Sequence, residues 1–331
     1  MRVYSDVCDE LIKKGISPTD GGQFCDYTGF ELEAYYDDFF KFGQTFLDRE
    51  DIRLPIHPAR IYYTTDRSIN ACARKQNGYY LIEINQGVIT YLFREFYFNN
   101  NRFNESSLIV FRDIALKMKQ EPAFLLFQEI CLLFFYHEVG HLVQQSGQGD
   151  ERFKEYLRHK CIGAEITVRH IRELDADWFA ANHYASHIKD FADRLAQTDN
   201  LTESDTFENS AALLLSSVYI YFIAISGGDE MYFDRECHPH PAIRLTSIVV
   251  TVLQTLENLT DRFINKIEIC KRAKQIAEKF MAEKNRHITD FYNQLISQNA
   301  HLIKEYINKI RVDTKDYPYA SWRILSKNTN K

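Results

Sequence analysis

Residues 122–146 read PAFLLFQEICLLFFYHEVGHLVQQS. Pro122 suits the first turn of a helix, where its missing N–H costs nothing, and Ser146-Gly147-Gln148-Gly149 supplies a stop. The apolar run from Ala123 to Tyr136 is interrupted by Gln128 and Glu129 and falls short of the roughly 18–20 residues that span a bilayer, so it is expected to be a buried helix. The run Ala211 to Ser226 is read in the same way. Within the first run stands His137-Glu138-Val139-Gly140-His141. Its two histidines are four residues apart and share one helical face, which lets both imidazoles reach one Zn²⁺ while Glu138 faces a metal-bound water.

A catalytic zinc site needs a third protein ligand and an open position. The longer H-E-x-x-H-x-x-G-x-x-H pattern fails, because Gln144 stands in place of the Gly and Gly147 in place of the third His. Downstream, Glu173-Leu174-Asp175-Ala176-Asp177 puts Glu173 and Asp177 on one face of a helix and turns Asp175 away. Glu173 is the expected third ligand, with Asp177 one turn on, accepting an N–H from a ligating histidine. The competing interpretation of this cluster is an acidic first turn favoured by the helix dipole. His183 and His187 also stand at i, i+4, but on that helix His187 lies roughly 21 Å beyond Glu173 and cannot share a mononuclear site with it. His159 and His170 stay open as alternative ligands.

Around this centre the pattern is mostly helical. Glu31 to Leu47 has helical apolar spacing, Arg60 to Thr65 is rich in β-formers, and Asn77-Gly78 between Ile69–Arg74 and Tyr79–Asn85 predicts a tight hairpin. Helices are expected over Glu151–Ile171, Glu173–Ile188 as another or as its continuation, Ala211–Ile225 ended by Gly227-Gly228, Ala242–Leu256, Asp261–Lys284 and Ile288–Ile310. The expected fold is α+β and predominantly helical, with a small hairpin or sheet and a C-terminal helical bundle. The expected division is an N-terminal helical segment over 1–58, a core over 59–258 and a helical extension over 259–331.

The 331 residues carry a net charge of −6 with 45% hydrophobic residues, the profile of a well-cored globular protein with no general footprint for nucleic acid. Seven cysteines, without C-x-x-C, are read as reduced thiols. The N-terminus meets charge at once and has no apolar signal region, so a cytoplasmic location is expected. No G-x-S-x-G, P-loop or G-x-G-x-x-G occurs, which leaves nucleophilic and nucleotide chemistries without support.

HEVGH, then ELDADWFA, then HPHPAIRL together resemble the gluzincin metallopeptidases related to the CAAX prenyl proteases, the heat-shock membrane proteases and the soluble phage-exclusion peptidases. The matching positions are His137, Glu138 and His141; Glu173, Ala176 and Asp177; and His238, Pro239, Arg244 and Leu245. Asn70-Ala71-Cys72-Ala73 leading into YYLIEINQGVI is similar to the hairpin and edge strand before the active-site helix of the membrane proteases. The resemblance spans about residues 60–250 and implies a zincin-like core, Glu173 as a zinc ligand, Asp177 buttressing a ligand, and His238 and Arg244 lining or bracing the site. It departs from the membrane-embedded members in lacking convincing spans, so the soluble relatives are the better guide.

The expected reaction is hydrolysis of a peptide bond in an intracellular protein or peptide, with one Zn²⁺ per chain, Glu138 as general base and His238 donating to the developing oxyanion, ahead of His240 or a nearby Tyr. The strand Tyr79–Asn85, taken as the sheet edge, is expected to hold an extended substrate through Tyr80, Ile82 and Ile84. Two other readings stand beside it. One is a non-enzymatic helical interaction protein whose zinc is closed off by His159, His170 or a Cys; the other is a zinc hydrolase of a non-peptide amide. Oligomeric state is left open.

Overall fold

The computed structural model describes residues 2–97, 100–147, 164–198, 203–226, 228–260, 263–282 and 286–329. With 71% helix against 7% strand, it is the predominantly helical α+β arrangement expected. The elements are α1 (Tyr4–Lys13), α2 (Glu33–Leu47), β1 (Ala59–Thr64), β2 (Ala71–Gln76), β3 (Tyr79–Asn85), α3 (Gln86–Tyr97), α4 (Ile109–Lys117), α5 (Pro122–Ser146), α6 (Ala164–Thr198), α7 (Glu203–Ser226), α8 (Pro241–Thr260), α9 (Lys266–Met281), α10 (Arg286–Asp316) and α11 (Ser321–Thr329). They fall into two compact units that are discontinuous in sequence. One comprises Met1–Arg94, Phe134–His159 and Tyr317–Lys331, and the other Glu95–Leu133 and Lys160–Asp316. The chain therefore changes unit within α3 and within α5.

In the first unit the sheet has the order β1-β3-β2, with β1 parallel and β2 antiparallel to β3. The hairpin forms as predicted, and Asn77 and Gly78 take φ of 50° and 81°, the left-handed pair a two-residue turn requires. Strand order corrects one expectation. β3 is the central strand, bonded on both sides, so Tyr80, Ile82 and Ile84 cannot take up an added substrate strand through their backbone. The outer side of β1 is covered: Gln44 of α2 donates to Ala59 O at 3.2 Å and accepts from Ile61 N, while Tyr63 N donates to the Tyr4 hydroxyl and Cys25 N to Tyr63 O. The other edge is β2, where α5 reaches in and Gln145 Nε2 donates to Ala73 O at 2.7 Å. Phe135 of α5 packs edge-on against Phe39, Phe42 and Phe46 of α2, seating the second half of α5 in this unit.

In the second unit α6, α7, α8, α9 and α10 pack as a helical bundle. α7 places apolar side chains on every side and buries nearly all of them, as a central helix must. α6 is one helix of 35 residues. Residues 151–163, where the preceding helix was expected, lie outside the described residues, as do His159, Gly227 and Asp261. α5 runs from Pro122 to the expected stop at Ser146, and α7 begins before the expected Ala211. Pro122–Ser146, of 25 residues, and Phe207–Ser226, of 20, are long and apolar enough to cross a membrane by length and composition, and 72% of each apolar window is buried inside the protein, as core helices of this kind also are. Cys237 corrects the expectation of reduced thiols throughout, since it is disulfide-bonded. Cys8, Cys25, Cys72, Cys131 and Cys270 are free.

Candidate metal centre

The H-E-x-x-H spacing does what helical geometry dictates. On α5 the Nε2 atoms of His137 and His141 face each other at 3.1 Å, near the separation of about 3.4 Å expected for two nitrogens of a tetrahedral zinc. His141 and Glu138 are buried. The Nδ1 of His141 lies 3.0 Å from Gln144 Oε1. An amide oxygen only accepts, so Nδ1 carries the proton and Nε2 keeps its lone pair, which is the tautomer a metal ligand needs. Gln144 is fully buried and its orienting role was missed from sequence, where it was weighed only as a failed Gly. Its position one turn after His141 was the available signal.

On α6, Glu173 sits nine residues into the helix, which removes the reading of an acidic first turn. Glu173 and Asp177 are buried at 5% and 1% exposure, and buried carboxylates must be paired. Arg244 of α8 supplies the pairing. Its Nε donates to Asp177 Oδ2 at 2.8 Å and its Nη2 to Oδ1 at 2.7 Å, while Nη1 lies 3.8 Å from Glu173 Oε2. These carboxylates hold the guanidinium well above its ordinary pKa against the effect of burial. Asp177 thus holds a guanidinium one turn beyond Glu173. His238, half-exposed, brings Nδ1 to 3.3 Å from Glu173 Oε2.

The other histidines separate cleanly. His240 is buried, packs edge-on against Tyr232 and accepts from Ala242 N at 3.0 Å, capping α8, which commits it to structure. His170 is buried with both ring nitrogens engaged, by Tyr306 and by Glu236 O, so it offers no lone pair to a cation. Burial pushes His183 down to about 4 and lowers His187. Both lie along α6 beyond the site, as the rise per residue required.

His137, His141 and Glu173 form a group that could hold a metal ion, with one ligand atom from each lying within 4.8 Å of the others. Two imidazoles and a carboxylate are a donor set that suits zinc and leaves a coordination position open. Comparison with protein-family models, with curated proteins and with solved structures finds no match.

Proposed function

We propose that the chain is a zinc-dependent metallopeptidase built on a zincin-like core, with His137, His141 and Glu173 holding one Zn²⁺ and a protein or peptide as substrate. The observation that carries this reading is the convergence of those three donors, two of them on the helix whose intervening residue is a buried Glu. A bound Zn²⁺ supplies Lewis-acid chemistry, lowering the pKa of water toward about 7 and polarising a carbonyl. Glu138 then accepts the proton of the attacking water and returns it to the leaving amine. His238 donates a hydrogen bond to the developing oxyanion. Behind these groups Asp177 holds the Arg244 guanidinium, whose Nη1 lies 3.8 Å from Glu173 Oε2 and offsets the charge of that buried carboxylate.

The edge available to an extended substrate is β2. In its hairpin register Ala71, Ala73 and Lys75 turn their backbone groups away from β3, and one of these carbonyls already takes a bond from α5. Strand addition there replaces the role first given to Tyr80, Ile82 and Ile84. The H-E-x-x-H, E-x-x-A-D and H-P-x4-R order supports the resemblance to soluble gluzincins, and a cytoplasmic site of action is part of the same proposal.

Elemental analysis with proteolysis of a cell lysate tests it. About one zinc per chain in the wild type, kept in Glu138→Gln, weakened in Glu173→Gln, and cleavage lost in both, is the expected result. Absence of zinc in the wild type, or binding indifferent to Glu173, refutes it.

A further inference from the structure

Residues 228–240 connect α7 to α8 without regular structure, yet they carry His238, which reaches Glu173. We infer that His170 and Tyr306 are positioning residues that hold this segment, and with it His238, across one face of α6. His170 and Glu173 are three residues apart on α6 and share that face. The first meets the segment at Glu236, with Nε2 2.9 Å from the carbonyl oxygen, and the second meets it at His238, with Oε2 3.3 Å from Nδ1. A carbonyl only accepts, so Nε2 of His170 carries its proton and Nδ1 accepts from the Tyr306 hydroxyl of α10 at 2.5 Å. Tyr306 thereby fixes the tautomer that lets His170 grip the chain. It also stacks obliquely on Phe233 of the same segment, with ring centroids 5.3 Å apart. Together with the disulfide at Cys237, a hydrogen-bonded relay from a distant helix, wholly buried at His170, restricts a segment that has no ladder of its own.

The catalytic consequence rests on the peptidase reading, but the positioning does not. The test is amide hydrogen exchange on the full chain, comparing wild type with Tyr306→Phe, which removes one hydroxyl, and His170→Phe, alongside cleavage of a quenched fluorescent casein. The expected result is exchange about tenfold faster across 231–240 in both variants, with α7 and α9 unchanged. In cleavage, kcat falls about tenfold at constant KM, and Tyr306→Phe adds nothing to His238→Ala. Unchanged exchange in 231–240 overturns the inference, and so does acceleration spread over the whole bundle, which marks His170 as ordinary core glue. A wild type that cleaves no casein counts against the peptidase alone, and the exchange comparison still decides the positioning.

Discussion

Arg244 grips the carboxylate of Asp177 with two parallel bonds of 2.8 and 2.7 Å, joining α8 to α6 at the turn beyond Glu173. Asp177 is 2% exposed in its side chain and Arg244 18%, so neither can fall back on water if the other is removed. Arg244→Ala is expected to destabilise the protein by about 3–5 kcal/mol, because a buried carboxylate loses the guanidinium that compensates it. Arg244→Lys recovers only part of this, since an ammonium cannot form the fork. Urea unfolding measures both; a loss below about 1 kcal/mol in the alanine variant would show that the pair carries no such burden.

Glu129 of α5 is buried among apolar side chains with Oε2 unpartnered, and burial pushes its carboxyl up to about 8, while the Tyr184 hydroxyl and Arg194 oppose the shift. The folded state therefore keeps a proton that the unfolded chain releases near the ordinary value of 4.5. Stability is undiminished below that value, falls as pH rises toward 8, and stays lowered above it. Glu129→Gln is neutral throughout, so its advantage over wild type should grow between about pH 5 and 8 to something on the order of 5 kcal/mol and then level off. The depressed His183 acts in the opposite direction at low pH but is common to both proteins and cancels. Thermal unfolding of the pair at about pH 5, 6.5 and 8 decides the matter, and a difference independent of pH sinks the assignment.

Local order was legible in the sequence and long-range order was not. The α5 helix, its two histidines and Glu138 follow from a period of about 3.6 residues, and the Glu173/Asp177 pair from the same period on α6. The Asn77-Gly78 turn is equally local. Whether β3 was an edge depended on β1, which joins it in parallel across the intervening hairpin, and nothing in the alternation of Tyr79–Asn85 encodes a partner on each side. His170 was left open as a ligand because its commitment comes from Tyr306, 136 residues away. The bond at Cys237 was missed for the same reason, since spacing along a chain does not say which sulfurs a fold brings together.

Gln144 orients His141 by accepting from its Nδ1, so its contribution should appear in metal affinity rather than in folding. Gln144→Leu keeps the volume and removes the acceptor. Zinc affinity, read by competition with a chromophoric chelator, is expected to weaken by about 10- to 100-fold, with an unfolding midpoint close to wild type. Affinity equal to wild type would mean that the His141 ring needs no second partner to present Nε2.

Gly87 stands at the junction of β3 and α3, where its N–H donates to Asp66 O at 3.1 Å. A Cβ built there would lie 2.0 Å from the carbonyl oxygen of Arg67 and 2.5 Å from that of Ser68. Backbone cannot swing aside as a side chain does, so Gly87→Ala must displace the loop that feeds β2, at an expected cost of about 3 kcal/mol. Gly29 makes the informative control. Its φ of 78° is left-handed and nothing lies within 4 Å of the point a Cβ would occupy, so Gly29→Ala should cost only the conformational strain of about 1 kcal/mol. Urea unfolding of the two variants separates close approach from backbone strain. If Gly87→Ala costs no more than Gly29→Ala, the approach of the 66–68 loop to α3 is looser than the structure describes, and the register of β2 against β3 is not pinned from this end.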